Sequence, residues 1–188
     1  GTVLTQTGGN AAECTNCPTG SYSLPGTATC ISCEQGKSSS SGDPICTACL
    51  PGTHRGKEGE SGAGKTGAVN DTGKCLACVA GQYSAAQASV CTPCAAGQYL
   101  ASTSGSECVR CAAGTFLDEK GRTSQSQCKT CSVGKFNPIA GSAKADACDD
   151  CPIGRWSATP GAKTLKDCHI CRGGTFSNTS GATTEQCS

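Results

Sequence analysis

The chain has no methionine and one tryptophan, with three tyrosines and three phenylalanines among 188 residues. Counted together, valine, isoleucine, leucine and these aromatics number only 25. Burial at about 25 cal/mol per Å² cannot, with so few large side chains, offset ordering costs of about 1–2 kcal/mol per residue. One ordinary hydrophobic core is excluded on that ground. No apolar run approaches the length of a membrane-spanning helix, so these residues contain no such segment. Excess charge is lacking as well: 15 Lys and Arg face 14 Asp and Glu, a net charge of +1. A balance of that kind argues against nucleic acid or an anionic membrane as principal partner.

Cysteine, in contrast, is abundant, with nineteen residues. Eighteen fall into nine Cys-x-x-Cys pairs opening at Cys14, Cys30, Cys46, Cys75, Cys91, Cys108, Cys128, Cys148 and Cys168, and Cys187 stands where a tenth would open. Steps between openings are 16, 16, 29, 16, 17, 20, 20, 20 and 19 residues. Such regularity denotes a tandem array, and cysteine at this density denotes an oxidising, extracellular compartment, at the cell surface or secreted. Closing a loop of about 15 residues contributes roughly 3 kcal/mol in the chain-entropy account, so several closures in series replace a core.

Each pair is followed by a frame in which glycine comes three residues after the second cysteine and an aromatic two residues later. The aromatics at this phase are Tyr22, Tyr83, Tyr99, Phe116, Phe136, Trp156 and Phe176, which are all the aromatics of the chain. Ser38 and His54 take the aromatic place in two units, although Gly36 and Gly52 remain. A glycine at this point suits a turn with φ > 0 or a close backbone approach. The aromatic would share the glycine's face of an extended segment and cover a disulfide as a very small core. Second turn signals follow at Pro25-Gly26, Gly42, Gly105, Gly141, Pro160-Gly161 and Gly181. Each unit therefore reads as a short strand, a turn, a return strand and a Cys-x-x-Cys corner. The expected fold class is small disulfide-rich repeats, mostly short β-hairpins and irregular loops, in an elongated rod-like tandem array without a globular core and without useful lengths of helix.

Because the same frame follows every pair, the simplest connectivity joins the second cysteine of one pair to the first of the next. The bridges would be Cys17–Cys30, Cys33–Cys46, Cys49–Cys75, Cys78–Cys91, Cys94–Cys108, Cys111–Cys128, Cys131–Cys148, Cys151–Cys168 and Cys171–Cys187. Bridging within each Cys-x-x-Cys is the rival, and sequence does not exclude it. Residues 17–32, 33–48, 78–93, 94–110, 111–130, 131–150 and 151–170 are then repeats, 49–77 a long repeat with an insertion, 1–16 the C-terminal part of a truncated repeat, and 171–188 a repeat truncated at its end. Gly1 to Cys14 matches Gly174 to Cys187 in length, with Gly-Thr first and Cys last. That match leads to the expectation of a segment of a longer array in which Cys14 pairs outside the segment.

Motifs that could carry chemistry are few. Cys-x-x-Cys pairs at this spacing also occur in zinc ribbons, but four-thiolate sites would group the pairs two by two and alternate the frame, which is uniform here. No cofactor is expected. Gly59 to Thr66 (GESGAGKT) satisfies the phosphate-loop pattern, yet no buried strand precedes it and no helix follows, as that cradle requires. It reads as a chance match, and no nucleotide-binding residue is assigned. His54 and His169 read as packed or exposed, Asp149-Asp150 as a solvated corner, and no nucleophile has a recognisable base. No catalytic or metal residue is assigned, and the chain is not expected to be an enzyme. Asn70-Asp71-Thr72 and Asn178-Thr179-Ser180 are N-glycosylation sequons on expected loops, and Ser38 to Ser41 offer O-linked acceptors.

The frame Cys-x-x-Cys-x-x-Gly-x-aromatic-loop-Cys resembles the ephrin-receptor-type cysteine-rich repeat. Tumour-necrosis-factor-receptor modules and ciliate cysteine-rich surface antigens are similar more distantly. Cys17 to Cys30 (CPTGSYSLPGTATC) and Cys151 to Cys168 (CPIGRWSATPGAKTLKDC) carry the resemblance best. It implies forward bridging from each pair to the next. For function it implies either an extracellular structural array (a glycosylated coat, stalk or filament) or a ligand-binding receptor ectodomain. The expected partners are further repeats of the chain or identical protomers, glycans and other surface proteins, and neither nucleic acid nor membrane.

Overall fold

The computed structural model describes residues 1–7, 11–56 and 73–184. They form two compact units, Gly1–Thr92 with Thr103–Glu107, and Pro93–Ser102 with Cys108–Ser188. Within each, the recurring element is a pair of two-residue antiparallel strands. The strand after the frame glycine pairs with the two middle residues of the next Cys-x-x-Cys. In the first unit Ser21–Tyr22 pairs with Ile31–Ser32, Lys37–Ser38 with Thr47–Ala48, and Thr53–His54 with Leu76–Ala77. In the second, Gln98–Tyr99 pairs with Val109–Arg110, Thr115–Phe116 with Lys129–Thr130, Lys135–Phe136 with Asp149–Asp150, and Arg155–Trp156 with His169–Ile170. The return strand is thus the Cys-x-x-Cys itself, where the sequence suggested a separate strand before a corner. One longer hairpin opens the chain, Thr2–Thr7 against Ala11–Asn16.

The frame glycine sets up each strand pair. Gly20, Gly36, Gly52, Gly97, Gly114, Gly134 and Gly154 all have φ between +72° and +85°, the left-handed region in which a side chain costs about 1–2 kcal/mol. The turn closes when the residue after the glycine donates its N–H three residues back, as Ser21 does to Pro18 O at 3.1 Å and Arg155 to Pro152 O at 3.0 Å. The glycine carbonyl then accepts the N–H of the next pair's second cysteine: Cys33 donates to Gly20 O, Cys111 to Gly97 O, Cys131 to Gly114 O and Cys151 to Gly134 O, at 2.8–2.9 Å. Gly1 O accepts from Cys17 N–H in the same way.

Among the described residues helix is confined to three 3-10 turns, Gln125–Gln127, Ala145–Ala147 and Leu165–Asp167, each directly before a cysteine. They occur in the repeats whose cysteines are 17 residues apart, and take up the residues by which these exceed the 13-residue closures. The sequence reading missed them because three residues are too few for an apolar period to register.

Candidate functional site: the disulfide ladder and the repeat junctions

Eight disulfides lie among the described residues: Cys17–Cys30, Cys33–Cys46, Cys49–Cys75, Cys78–Cys91, Cys94–Cys108, Cys111–Cys128, Cys131–Cys148 and Cys151–Cys168. Each runs from the second cysteine of one pair to the first of the next, with Cα separations of 5.5–5.9 Å. Cys171 is also disulfide-bonded, and Cys187 lies outside the described residues. Cys14 is exposed and free, on the strand Ala11–Asn16 opposite Leu4.

The second cysteines form the buried floor: Cys17, Cys49, Cys78, Cys94, Cys111, Cys131 and Cys151 are at most 1% exposed. The seven aromatics do not complete this core. Tyr22, Tyr83, Tyr99, Phe116, Phe136 and Trp156 are half-buried, and Phe176 is 58% exposed. Two of the rings meet their cross-strand partners: Trp156 and His169 have ring centroids 5.1 Å apart, and Lys129 Nζ lies 5.9 Å from the Phe116 centroid. The buried place is one residue further on, held by Ser23, Ser39, Arg55, Ser84, Leu100, Leu117, Asn137, Ser157 and Ser177.

This post-aromatic residue is the hinge pin of each junction. Its carbonyl accepts the frame-glycine N–H of the preceding repeat: Gly20 to Ser39, Gly36 to Arg55, Gly97 to Leu117, Gly114 to Asn137, Gly134 to Ser157 and Gly154 to Ser177, at 2.7–2.9 Å. Its own N–H donates to the following repeat, as Arg55 does to Ala88 O, Leu117 to Ser142 O, Asn137 to Ala162 O and Ser157 to Ala182 O. A third bond returns from that loop to the cysteine floor, with Gly42 donating to Cys17 O, Gln87 to Cys49 O, Gly141 to Cys111 O and Gly161 to Cys131 O. Parallel single-residue bridges run alongside, including His54 to Ala88 and Phe136 to Ala162.

At Ser39, Arg55, Ser84 and Asn137 the side chain adds a further tie to the preceding repeat, whereas Ser157 Oγ and Ser177 Oγ donate within their own loops. Ser39 Oγ donates to Ser21 O at 2.8 Å, Ser84 Oγ to Thr53 O at 2.9 Å, and Asn137 Nδ2 to Thr115 O at 3.1 Å. Arg55 reaches furthest: Nη1 donates to Cys33 O at 3.0 Å and Lys37 O at 2.9 Å, and Nη2 to Gly20 O at 3.4 Å. Buried polar groups are tolerated when so satisfied. Sequence reading passed over this position because serine there looks like loop composition. The available signal was its fixed offset from the aromatic.

Contacts also reach the second neighbour. A Cβ placed on Gly36 would lie 2.1 Å from Gln87 O, on Gly52 1.9 Å from Ser104 O, on Gly97 2.0 Å from Gly141 O, and on Gly114 2.1 Å from Gly161 O. Each of those carbonyls belongs to the repeat two steps on. The frame glycine therefore meets two demands at once, a positive φ and a backbone with no room for a methyl group. The simple picture of units touching only their immediate neighbours does not hold here.

The remaining sequence candidates fall as follows. Asn178 is exposed on an irregular segment, whereas Asn70 and the Gly59 to Thr66 pattern lie outside the described residues. Of the serines from Ser38 to Ser41, Ser39 is buried and Ser41 Oγ donates to Cys17 O at 3.0 Å. Asp149 and Asp150 are exposed on their strand, with Asp150 bound to Lys135 at 2.6 Å. Three carboxyls are held below their usual range: Glu34 by its hydrogen bond to Lys37, Asp118 by its bond to Lys129, and Asp167 by the N–H groups of Thr164 and Lys163. All three are exposed and belong to local surface pairs or caps. His54 stands apart from the other residues at the aromatic phase, because its Nδ1 lies 3.1 Å from Cys91 Sγ of the next repeat's disulfide.

In comparison with known proteins, residues 81–128 and 121–168 match the family described as tyrosine-protein kinase ephrin type A/B receptor-like, in two tandem segments. A comparison with curated proteins found no significant match. No helix among the described residues is long and apolar enough to cross a membrane.

Proposed function

We propose, from the premise that the chain is an ephrin-receptor-like cysteine-rich repeat array, that it serves an extracellular structural role in a glycosylated surface coat, stalk or filament. The observation that carries this reading is the use to which the frame is put. Cysteine, glycine and the post-aromatic residue are spent on joining one repeat to the next two. What varies between repeats is the solvated rim, including the exposed middle residues of each Cys-x-x-Cys such as Thr47-Ala48, Lys129-Thr130 and Asp149-Asp150. The chain is proposed to be non-enzymatic, with Asn178 as an N-glycan acceptor and further repeats, identical protomers or other surface proteins as partners.

Electron microscopy of the native material tests the reading. Long fibres or a continuous layer with a spacing of several repeats are expected. Discrete particles that capture a soluble protein ligand would instead support a receptor ectodomain and overturn the structural role.

A further inference from the structure

We infer that the hollow between the repeats Cys33–Cys46 and Cys49–Cys75 is a binding site for a neutral hexose, the terminal sugar of a glycan. These are the two repeats that place Ser38 and His54 where the others have an aromatic ring. Ser38 pairs across the strands with Thr47, so two hydroxyls stand where a ring and its partner stand elsewhere. A cavity of about 480 Å³ opens beside them, a volume within the range of small-molecule sites. Thr53, Asp43 and Lys74 also line it. Its mouth faces solvent, because Ser40, Thr47, Leu50 and Lys74 are exposed, and further sugars of a chain leave through it.

The hydrogen bonds already made decide what the cavity accepts. Ser38 Oγ donates its proton to Gly73 O, Thr47 Oγ1 to Ser38 O at 3.1 Å and Thr53 Oγ1 to Leu50 O at 2.7 Å. With their protons committed to backbone carbonyls, these oxygens meet a ligand as acceptors. Asp43 Oδ2 accepts the Ser40 N–H at 2.7 Å, which fixes the carboxylate and leaves Oδ1 as a charged acceptor. Lys74 supplies N–H donors of the opposite charge.

This set discriminates between ligand classes. An anion meets the Asp43 carboxylate and three further acceptor oxygens, and a cation meets Lys74. An apolar ligand strips water from these groups and returns no hydrogen bond, at a cost for each. A neutral polyol meets none of these objections, since every hydroxyl both donates and accepts. Adjacent sugar hydroxyls donate to Asp43 and to the serine and threonine oxygens, and one sugar oxygen accepts from Lys74. Leu50, 73% exposed, offers an apolar surface to a C–H face of the ring.

The inference rests on the proposed function for its extracellular, glycan-bearing setting, and adds where a glycan is held. The two fail separately, because sugar binding is measured on single chains whether or not fibres form. The test is a nitrogen-15 chemical-shift titration of the full chain with the methyl glycosides of mannose, glucose and galactose, with glycerol as control. Saturable shifts are expected with at least one glycoside, at a dissociation constant on the order of 1 mM, confined to amides around the cavity such as Ser40, Thr47 and Lys74. Asp43→Asn keeps an oxygen for the Ser40 N–H and is expected to weaken binding about tenfold through loss of the charged acceptor. Lys74→Met, at an exposed position, is expected to weaken it about threefold with the thermal midpoint unchanged, which separates binding from folding. Native protein freed of N-glycans distinguishes two sources of the sugar. Tighter binding after that treatment assigns the site to the array's own glycans, and unchanged binding assigns it to glycans of another surface. Shifts that do not saturate, that glycerol reproduces or that spread over both compact units overturn the site, as does equal affinity in both variants.

Discussion

The short repeats Cys17–Cys30, Cys33–Cys46 and Cys78–Cys91 and the long repeats Cys111–Cys128, Cys131–Cys148 and Cys151–Cys168 solve the same closure differently. Cysteine separations of 13 and 17 residues change the loop-entropy contribution by only about 0.2 kcal/mol, so loop length does not distinguish them. The loop's contents do. A long repeat adds a 3-10 turn before its closing cysteine, and in two cases the closing sulfur becomes buried, with Cys148 5% and Cys168 0% exposed. Cys30, Cys46 and Cys91 of the short repeats are half-buried. At the loop residue that bonds to the preceding cysteine floor, the long repeats use Gly121, Gly141 and Gly161. The repeats Cys78–Cys91 and Cys94–Cys108 place Gln87 (φ 60°) and Ser104 (φ 59°) there. The long repeats thus follow the left-handed geometry with the residue that suits it, and these shorter ones tolerate strain. Both forms keep the glycine-to-second-neighbour contact, so that contact, rather than repeat length, defines the array.

The largest effect is expected where this contact is made. Gly114→Ala forces a side chain into φ +81° and a methyl group to within 2.1 Å of Gly161 O, costing about 3 kcal/mol or more from left-handed strain and overpacking together. Gly174→Ala has a similar φ of +87° but meets nothing within 4 Å, and only the strain of about 1–2 kcal/mol applies. Denaturant unfolding of the two variants measures the difference, and equal losses would remove the contact from the account.

Asn137→Ala comes next. The side chain is fully buried and bonds Thr115 O, Ser142 Oγ and Ile139 N–H, so truncation leaves unsatisfied groups worth about 1–3 kcal/mol. The same change at Ser157, whose Oγ donates to Thr159 O at 3.2 Å within its own loop, is expected to cost about 1 kcal/mol. Thermal unfolding should rank the pair in that order.

Acid separates the long repeats from one another. Asp167 accepts from the Lys163 and Thr164 N–H groups, whereas Gln127 makes the equivalent cap to Thr123 and Ser124. The hydrogen bonds hold the folded Asp167 pKa below its ordinary value. Its contribution is therefore fully present above the ordinary aspartate pKa and drains away as pH falls through the lowered folded one. Amide exchange as the pH is lowered through that range should loosen the turn Leu165–Asp167 relative to Gln125–Gln127, and Asp167→Asn should abolish the difference. At neutral pH, Ser124→Ala is expected to cost about 1 kcal/mol through loss of its cap.

The smallest effect has the opposite sign. Gln87→Gly relieves a left-handed residue and should raise stability by up to about 1 kcal/mol, unless the gained chain freedom cancels it. No gain in thermal midpoint would show that relief of strain at Gln87 does not exceed the chain freedom gained.

The cysteine ladder was the most legible part of the structure, because a frame repeated in one phase leaves each pair an equivalent role. The frame glycines were legible as needing either a positive φ or a close backbone approach, but it was not legible that both hold at once or which repeat is approached. A glycine needed for φ and one needed for a neighbour two repeats away have the same letter, and only three-dimensional stacking separates the two demands. The aromatics misled for a physical reason: large rings suggest a core, yet beside the disulfide floor the inward place falls one residue further on, at Ser, Asn, Leu or Arg55. Arg55 was invisible for a related reason, since a long cation reads as surface until backbone carbonyls of two earlier repeats are seen to gather around it. Likewise His54 looked like a missing aromatic, and its approach to Cys91 depends on register across a junction.

The second-neighbour contact is tested most directly by a nuclear Overhauser measurement on the full chain, observing the Gly114 α-protons. A cross-peak to the Ala162 amide, in the repeat Cys151–Cys168, is predicted. Cross-peaks that stop at the intervening repeat, Cys131–Cys148, would contradict the account.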